Sequence, residues 1–332
     1  MAQNSHAGGG GESDGGAHAL LRRVVTAQES SIFLALVIIS IFITIVAPSF
    51  LTARNAFSVS RQVSFLAIIA ISELFVILTA GIDLSVGSVV GLSGVTTGLA
   101  LAAGFHPLLA IAVGLLTGCV TGLINGILVA YVGVTPFIVT LGMLSMARGM
   151  VWILTKGWPI TDIPESFIII GQGRILGLPV PLLILAVVAL LAYVVLKYLP
   201  FGRRVYAIGG NERATELSGI NVRRIKLVVY TLSNILASIT GIILVARFSS
   251  AQSSVGETWE LDAIAAAVIG GTSLAGGKGS VLGVLIGAAI MGVIRNGLVL
   301  MKVSVYWQQF IIGMVIVLAA IIDIVRNQRG RS

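Results

Sequence analysis

Charge is what this chain has least of. Only 10% of its 332 residues are charged, 57% are hydrophobic, and the mean hydropathy is +1.04. Water-soluble domains carry about 25% charged residues, so polar surface is too scarce here to cover a water-exposed fold. That excludes a cytosolic enzyme, a nucleic-acid binder and a disordered scaffold as readings of the whole chain. Histidine is scarce too: there are three, and His6 and His18 lie near the N-terminus. The single cysteine, Cys119, sits inside an apolar run, so no intrachain disulfide is possible and no His/Cys metal set is expected.

What is abundant is long apolar sequence. About 20 apolar residues cross about 30 Å of hydrocarbon, and ten runs fit that use: 31–50, 62–80, 84–103, 107–131, 136–155, 181–199, 227–246, 261–275, 280–296 and 307–325. The expectation is an all-α polytopic membrane protein of about ten spans, with the eighth run a half-span or re-entrant piece. Forty glycines, thirty-three of them in or between the apolar runs, suit close helix packing and broken helices. Residues 1–30 read as a flexible cytoplasmic tail, 31–325 as the transmembrane domain and 326–332 as a cytoplasmic C-terminal tail. The first run is too long for a signal-peptide core and is expected to be an uncleaved span. Tyr131, Trp152, Trp158, Tyr198 and Trp307 fall near run ends, as interface anchors do.

The net charge is +8. With both termini inside, thirteen of the twenty-one Lys and Arg fall on inner segments, six on outer segments and two, Arg148 and Arg295, within spans. Seven of the inner ones lie between Lys197 and Lys226. This is the positive-inside bias of membrane proteins, so the excess indicates orientation rather than nucleic acid. Gly87–Gly91 and Gly279–Gly283 are similar in sequence, and each opens an apolar run after a polar break. Duplicated halves, as in transporters, or chance similarity both account for that.

Two enzymatic motifs fail. Gly271 to Gly279 resembles a phosphate-binding loop, but Lys278 is one residue too far on and Gly279 replaces the Ser/Thr that would bind magnesium. The chain is therefore not expected to hydrolyse ATP itself. Gly91-Leu92-Ser93-Gly94 resembles an intramembrane protease serine motif. His106, its nearest candidate base, lies thirteen residues on, about 20 Å along a helix. Carboxylate pairs for acid–base work are missing from the runs.

Three segments carry information. Asp83, in Gly81-Ile82-Asp83-Leu84-Ser85-Val86-Gly87, is flanked by apolar sequence, where a charge is costly unless paired. Asp83 or Ser85 caps the next helix, or the pair belongs to a pathway or gate. In Gly209 to Ile220, Asn211 is a good N-cap, Glu212 suits a first turn and Gly219 is a good stop. The expectation is a two-turn helix that needs a surface to pack on, with Ala214 and Leu217 as its apolar contacts. Its surface is a partner, the protein's own inner face or anionic lipid. Before the eighth run, Asp262 is placed to cap a helix from the outer side. Glu73, Arg148 and Arg295 are the remaining intramembrane charges. They are either functional or paired, Glu73 with Arg148 or Arg295.

These segments also carry a resemblance. Gly81 to Ser88, the loop from Ala207 to Ile220, and Glu260 to Ala266 running into Gly270 to Gly279 resemble the permease subunits of monosaccharide ABC importers, the ribose type most of all. It spans residues 31–325 and implies a type II, cobalamin-importer-like fold. It also implies a homodimer or pseudo-dimer, a cytoplasmic ATPase that holds the ATP and Mg, and a periplasmic sugar-binding protein. No cofactor is implied in this chain. Residues Asn211, Glu212, Arg213, Ala214, Leu217, Ser218 and Gly219 match the family's coupling loop, which sits in a groove of the ATPase. The segments bearing Asp83, Ser85, Thr272 and Ser273 are implied to line or support the pathway. An ion-gradient sugar carrier and a non-transporting membrane scaffold are the alternative functions.

Overall fold

The computed structural model describes residues 28–329. The expected basic pair Arg22 and Arg23, most of the N-terminal tail and residues 330–332 lie outside them. The described chain is helical, with one short hairpin. Its helices are α1 (Gln28–Val46), α2 (Ala53–Leu78), α3 (Val86–Ala102), α4 (Pro107–Ile127), α5 (Pro136–Thr155), α6 (Glu165–Gln172), α7 (Val180–Lys197), α8 (Pro200–Gly210), α9 (Glu212–Leu217), α10 (Val222–Phe248), α11 (Trp259–Ile269), α12 (Val281–Leu300) and α13 (Val305–Arg329). Strands β1 (Arg174–Ile175) and β2 (Leu178–Pro179) pair antiparallel between α6 and α7.

Local sequence explains the starts. Pro107, Pro136 and Pro200 open α4, α5 and α8, where a missing N–H costs nothing. Thr52, Asn211, Asn221 and Ser280 accept a hydrogen bond from the exposed N–H groups of α2, α9, α10 and α12.

Among the described residues, seven helices are long and apolar enough to cross a membrane: α1, α2, α4 with its π-helical extension to Val132, α5, α7, α10 and α12. The apolar parts of α3 and α13, Val86–Ala102 and Val305–Leu318, are shorter. The eighth run forms only the eleven-residue α11, about 16 Å long, before turning at Gly270 and Gly271. The half-span expectation describes it well.

The helices are not equivalent. α2 and α10 lie at the centre, 83% and 72% buried over their most apolar windows, whereas α1 is 6% buried. The α4–α10 contact rests on Gly114, Gly118, Gly122 and Gly126, one per turn along α4. A Cβ at any of them would meet Ile242, Ser238, Thr231 or Leu227 of α10 at or inside contact distance. Small residues let two backbones approach where burial of apolar surface supplies no drive between helices.

Candidate functional site

The helix expected at 211–219 is present as α9. The Asn211 side chain accepts from the Ala214 N–H at 2.9 Å, and Gly219 ends the turn with φ +81°. Arg213 pairs with Glu216 at 2.8 Å, and Glu212 reaches Lys226 in the first turns of α10 at 2.7 Å. Thr215 is the buried member of the helix. Ala214 and Leu217, the expected apolar contacts, are exposed, Leu217 at 75%, so they are not spent on the protein's own inner face. Ser218 and Gly219 are exposed as well. The helix thus presents an unfilled small apolar face, set among exposed Glu212, Arg213 and Glu216.

The helix before it, α8, is the brace. A Cβ at Gly209 would strike the Leu78 carbonyl at the end of α2 and the Gly277 amide nitrogen in the glycine loop. The Gly277 N–H itself donates to the Leu78 carbonyl at 3.1 Å, and the Tyr206 hydroxyl donates to the Gly279 carbonyl at 2.9 Å. Burial pushes the Tyr206 phenol up, which keeps it a donor. The segment that would have been a phosphate loop is closed on itself, Ser273 N–H to the Lys278 carbonyl and Gly276 N–H to the Ser273 carbonyl, both at 2.9 Å. The two chain breaks, 79–85 and 270–280, therefore meet α8 at one point.

The first break is held by Asp83. Its Oδ1 accepts from the Ser85 N–H (2.9 Å) and Ser85 hydroxyl (2.5 Å). Its Oδ2 accepts from Asn234 Nδ2 (2.7 Å) and the Ser233 hydroxyl (3.4 Å) of α10. Asn125 of α4 donates to the Ser85 oxygen at 2.9 Å. Asp83 and Ser85 are fully buried, so they form a turn locked to α4 and α10. Ser85 stands at the N-cap position of α3 without a side-chain cap bond.

Glu73 and Arg148 do not pair, nor do Glu73 and Arg295. Glu73 is fully buried and its carboxyl oxygens have no hydrogen-bond partner among the described residues; the Asp83 backbone N–H faces it outside bonding geometry. Arg148 Nη1 donates to the Ser253 and Val255 carbonyls, both at 3.0 Å. Arg295 forms an ion pair with Asp262. Asp262 is accordingly not the cap expected of it: it lies inside α11, whose N-cap position is Thr258. Helical spacing shows neither pairing, because each joins segments far apart in sequence. Thr272 is fully buried and its hydroxyl lies beside the position a Gly279 Cβ would take, while Ser273 is buried in the closed loop.

A second cluster lies at the other end of the central helices. Arg54, Arg61, Arg174 and Arg247 line a cavity of about 420 Å³ with Phe57 and Ser58. The Arg174 guanidinium lies over the Phe57 ring at 4.3 Å. None of the ion pairs among the described residues involves these arginines. Two loops close around this end. Ile160 and Ala251 exchange backbone hydrogen bonds, and Gln172 Nε2 donates to the Arg247 carbonyl at 3.0 Å. Twenty-six residues of α2 and twenty-seven of α10 separate the arginines from α9, about 40 Å of helix.

A bundle of membrane-length helices with a braced, exposed short helix at one end and a basic pocket at the other is the architecture of a multi-pass membrane protein. The comparisons place it more closely: residues 55–320 match the family described as branched-chain amino acid transport system permease component, and the chain belongs to that family. It is 46% identical over 300 residues to the ribose import permease protein RbsC of Escherichia coli K12, covering 89% of this chain and 93% of that protein. It is 44% identical over 298 residues to RbsC of Bacillus subtilis, covering 89% and 92%. Against the D-allose transport system permease protein AlsC of Escherichia coli K12 the identity is 37% over 292 residues, covering 88% and 90%. No solved structure matches.

Proposed function

We propose that this chain is the permease subunit of an ATP-binding-cassette importer that moves a monosaccharide, ribose or a similar sugar, into the cytoplasm across the inner membrane. The observation that carries it is α9: a capped helix whose Ala214 and Leu217 are exposed among the described residues, joined directly to α8, which rests on the point where two broken segments meet. A separate ATPase, holding ATP and Mg, takes that face in a groove. Its movement passes through Gly209 and Tyr206 to the ends of α2 and the glycine loop, and so to α3 and α12. A permease dimer, of two copies or of a copy and a paralogue, forms the path. In this reading α3, α11 and α13 complete ten passes of a type II fold, with both termini cytoplasmic and lipid around the apolar exterior.

The arginine cavity then faces the periplasm, at the end where the sugar-binding protein docks. Four guanidiniums with no acid of their own suit acidic side chains on that partner.

The decisive experiment is reconstitution of the chain with its ATPase and binding protein in liposomes, over a panel of ribose, xylose, allose and galactose. The expected result is ATP-dependent uptake with ribose or a close relative preferred. Uptake by the chain alone in an ion gradient, or no flux with all partners present, overturns the proposal.

A further inference from the structure

A second cavity, of about 250 Å³, opens between α11, α12 and α13; its polar wall is made by Thr258, Asp262, Arg295, Gln308 and Gln309, and an apolar wall by Leu261, Val305, Ile312 and Ile316 faces it, a pairing that suits the hydroxyls and the C–H face of a sugar. It lies at the same end as the arginines. Asn296, next to Arg295, exchanges two 2.9 Å hydrogen bonds with Asn55 in the first turn of α2. Its chemistry differs sharply from the arginine pocket. Asp262 and Arg295 neutralise each other, so the cavity favours no ion. Arg295 has five N–H donors and spends Nη2 on Asp262. Gln308 donates its amide to the Val303 carbonyl at 2.8 Å, which fixes the side chain at the start of α13. Gln309 lies one residue on, exposed, with a donor and an acceptor. On the far side of the ion pair, Trp259 and Gln62 line a smaller hollow of about 60 Å³.

A carboxylate, a guanidinium and carboxamides along one wall of a neutral space are the groups that exchange hydrogen bonds with neighbouring hydroxyls, each of which both donates and accepts. The volume falls just short of the roughly 300 Å³ at which drug-sized sites begin, so the fitting ligand is small. We infer that this cavity is a binding station for a neutral polyol, a single monosaccharide, at the periplasmic mouth of the permease. The inference rests on the sugar-import reading and names where the cargo first touches this chain.

The test uses the full chain in detergent for binding, and the reconstituted assembly for transport. Saturation-transfer NMR of D-ribose with the permease alone is expected to give sugar signals that fall about fivefold in Gln309→Leu, the loss of one hydrogen-bonding group. In liposomes the same variant is expected to lower sugar moved per ATP by a similar factor, while stimulation of the ATPase by loaded binding protein is unchanged. Asp262→Asn, which keeps the shape but unbalances the charge, is expected to act in the same direction. Absence of saturation transfer with the native chain, or a native ratio of sugar to ATP in Gln309→Leu, overturns the station. If the native assembly moves no sugar at all, the sugar-import reading itself has failed.

Discussion

Two buried acids ten residues apart behave in opposite ways. Asp83 gathers four hydrogen bonds from Ser85, Ser233 and Asn234, whereas the Glu73 oxygens gather none among the described residues. Removing one partner of a satisfied buried bond strands the others, at about 1–3 kcal/mol. Asp83→Ala is therefore expected to destabilise the permease by about that much in detergent, read from its thermal unfolding. Glu73→Gln replaces an unpartnered acid with a neutral group of the same shape, so no hydrogen bond is lost. Its unfolding temperature is expected to equal or exceed that of the native chain, and a clear fall would mean that Glu73 has a partner in the assembled protein. Gly209 is limiting for a different reason, the backbone of Leu78 and Gly277 being already at contact. Gly209→Val must push α8 off the two breaks. It is expected to insert yet lose most of the uptake per ATP in the reconstituted assembly.

At the scale of elements, α9 is the most informative piece. Its exposed face can be altered without touching the fold, because Leu217 contacts little of its own chain. Leu217→Asp is expected to weaken ATPase co-purification by at least tenfold while membrane insertion and thermal unfolding stay native. Gly219→Val acts on the stop instead, where φ +81° suits glycine, and is expected to uncouple hydrolysis from uptake by misdirecting the chain into α10. Native coupling in both variants would remove α9 from the coupling path.

This helix was legible in the sequence because its signals are local: a cap at Asn211, an acid at Glu212 and a stop at Gly219. The half-length α11 was legible for the same reason, as a short apolar run ending in glycines. What was not legible is long-range. α2 begins at Ala53, nine residues before its apolar run, since Arg54, Asn55, Ser58, Ser60, Arg61 and Gln62 lower the hydropathy without breaking the helix. α8 hid in the most polar internal stretch. Two partners of Asp83, Ser233 and Asn234, lie about 150 residues on, in α10, and the four arginines come from three separate segments, so no spacing rule could assemble them.

For the whole molecule, the central question is how two ends about 40 Å apart act together. α2 and α10 each run from one to the other: Arg54 and Arg61 stand at the start of α2 and Leu78 at its end, while Lys226 stands at the start of α10 and Arg247 at its end. In the proposed importer, a shift at α9 reaches the basic cavity along α2 and α10, each a continuous helix from one end to the other. If acidic side chains of the binding protein fill that cavity, their attraction is between surface charges and is screened by salt over about 10 Å at 0.1 M. Affinity of the binding protein for the permease in nanodiscs is then expected to fall steeply with added salt. Arg174→Glu reverses one of four unopposed charges at an exposed hairpin, where folding has little at stake. It is expected to weaken docking by about tenfold at low salt, chiefly through slower association, and to flatten the salt dependence. An unchanged affinity and an unchanged salt slope in Arg174→Glu would mean that the carrier docks elsewhere and that the four arginines await a different anion.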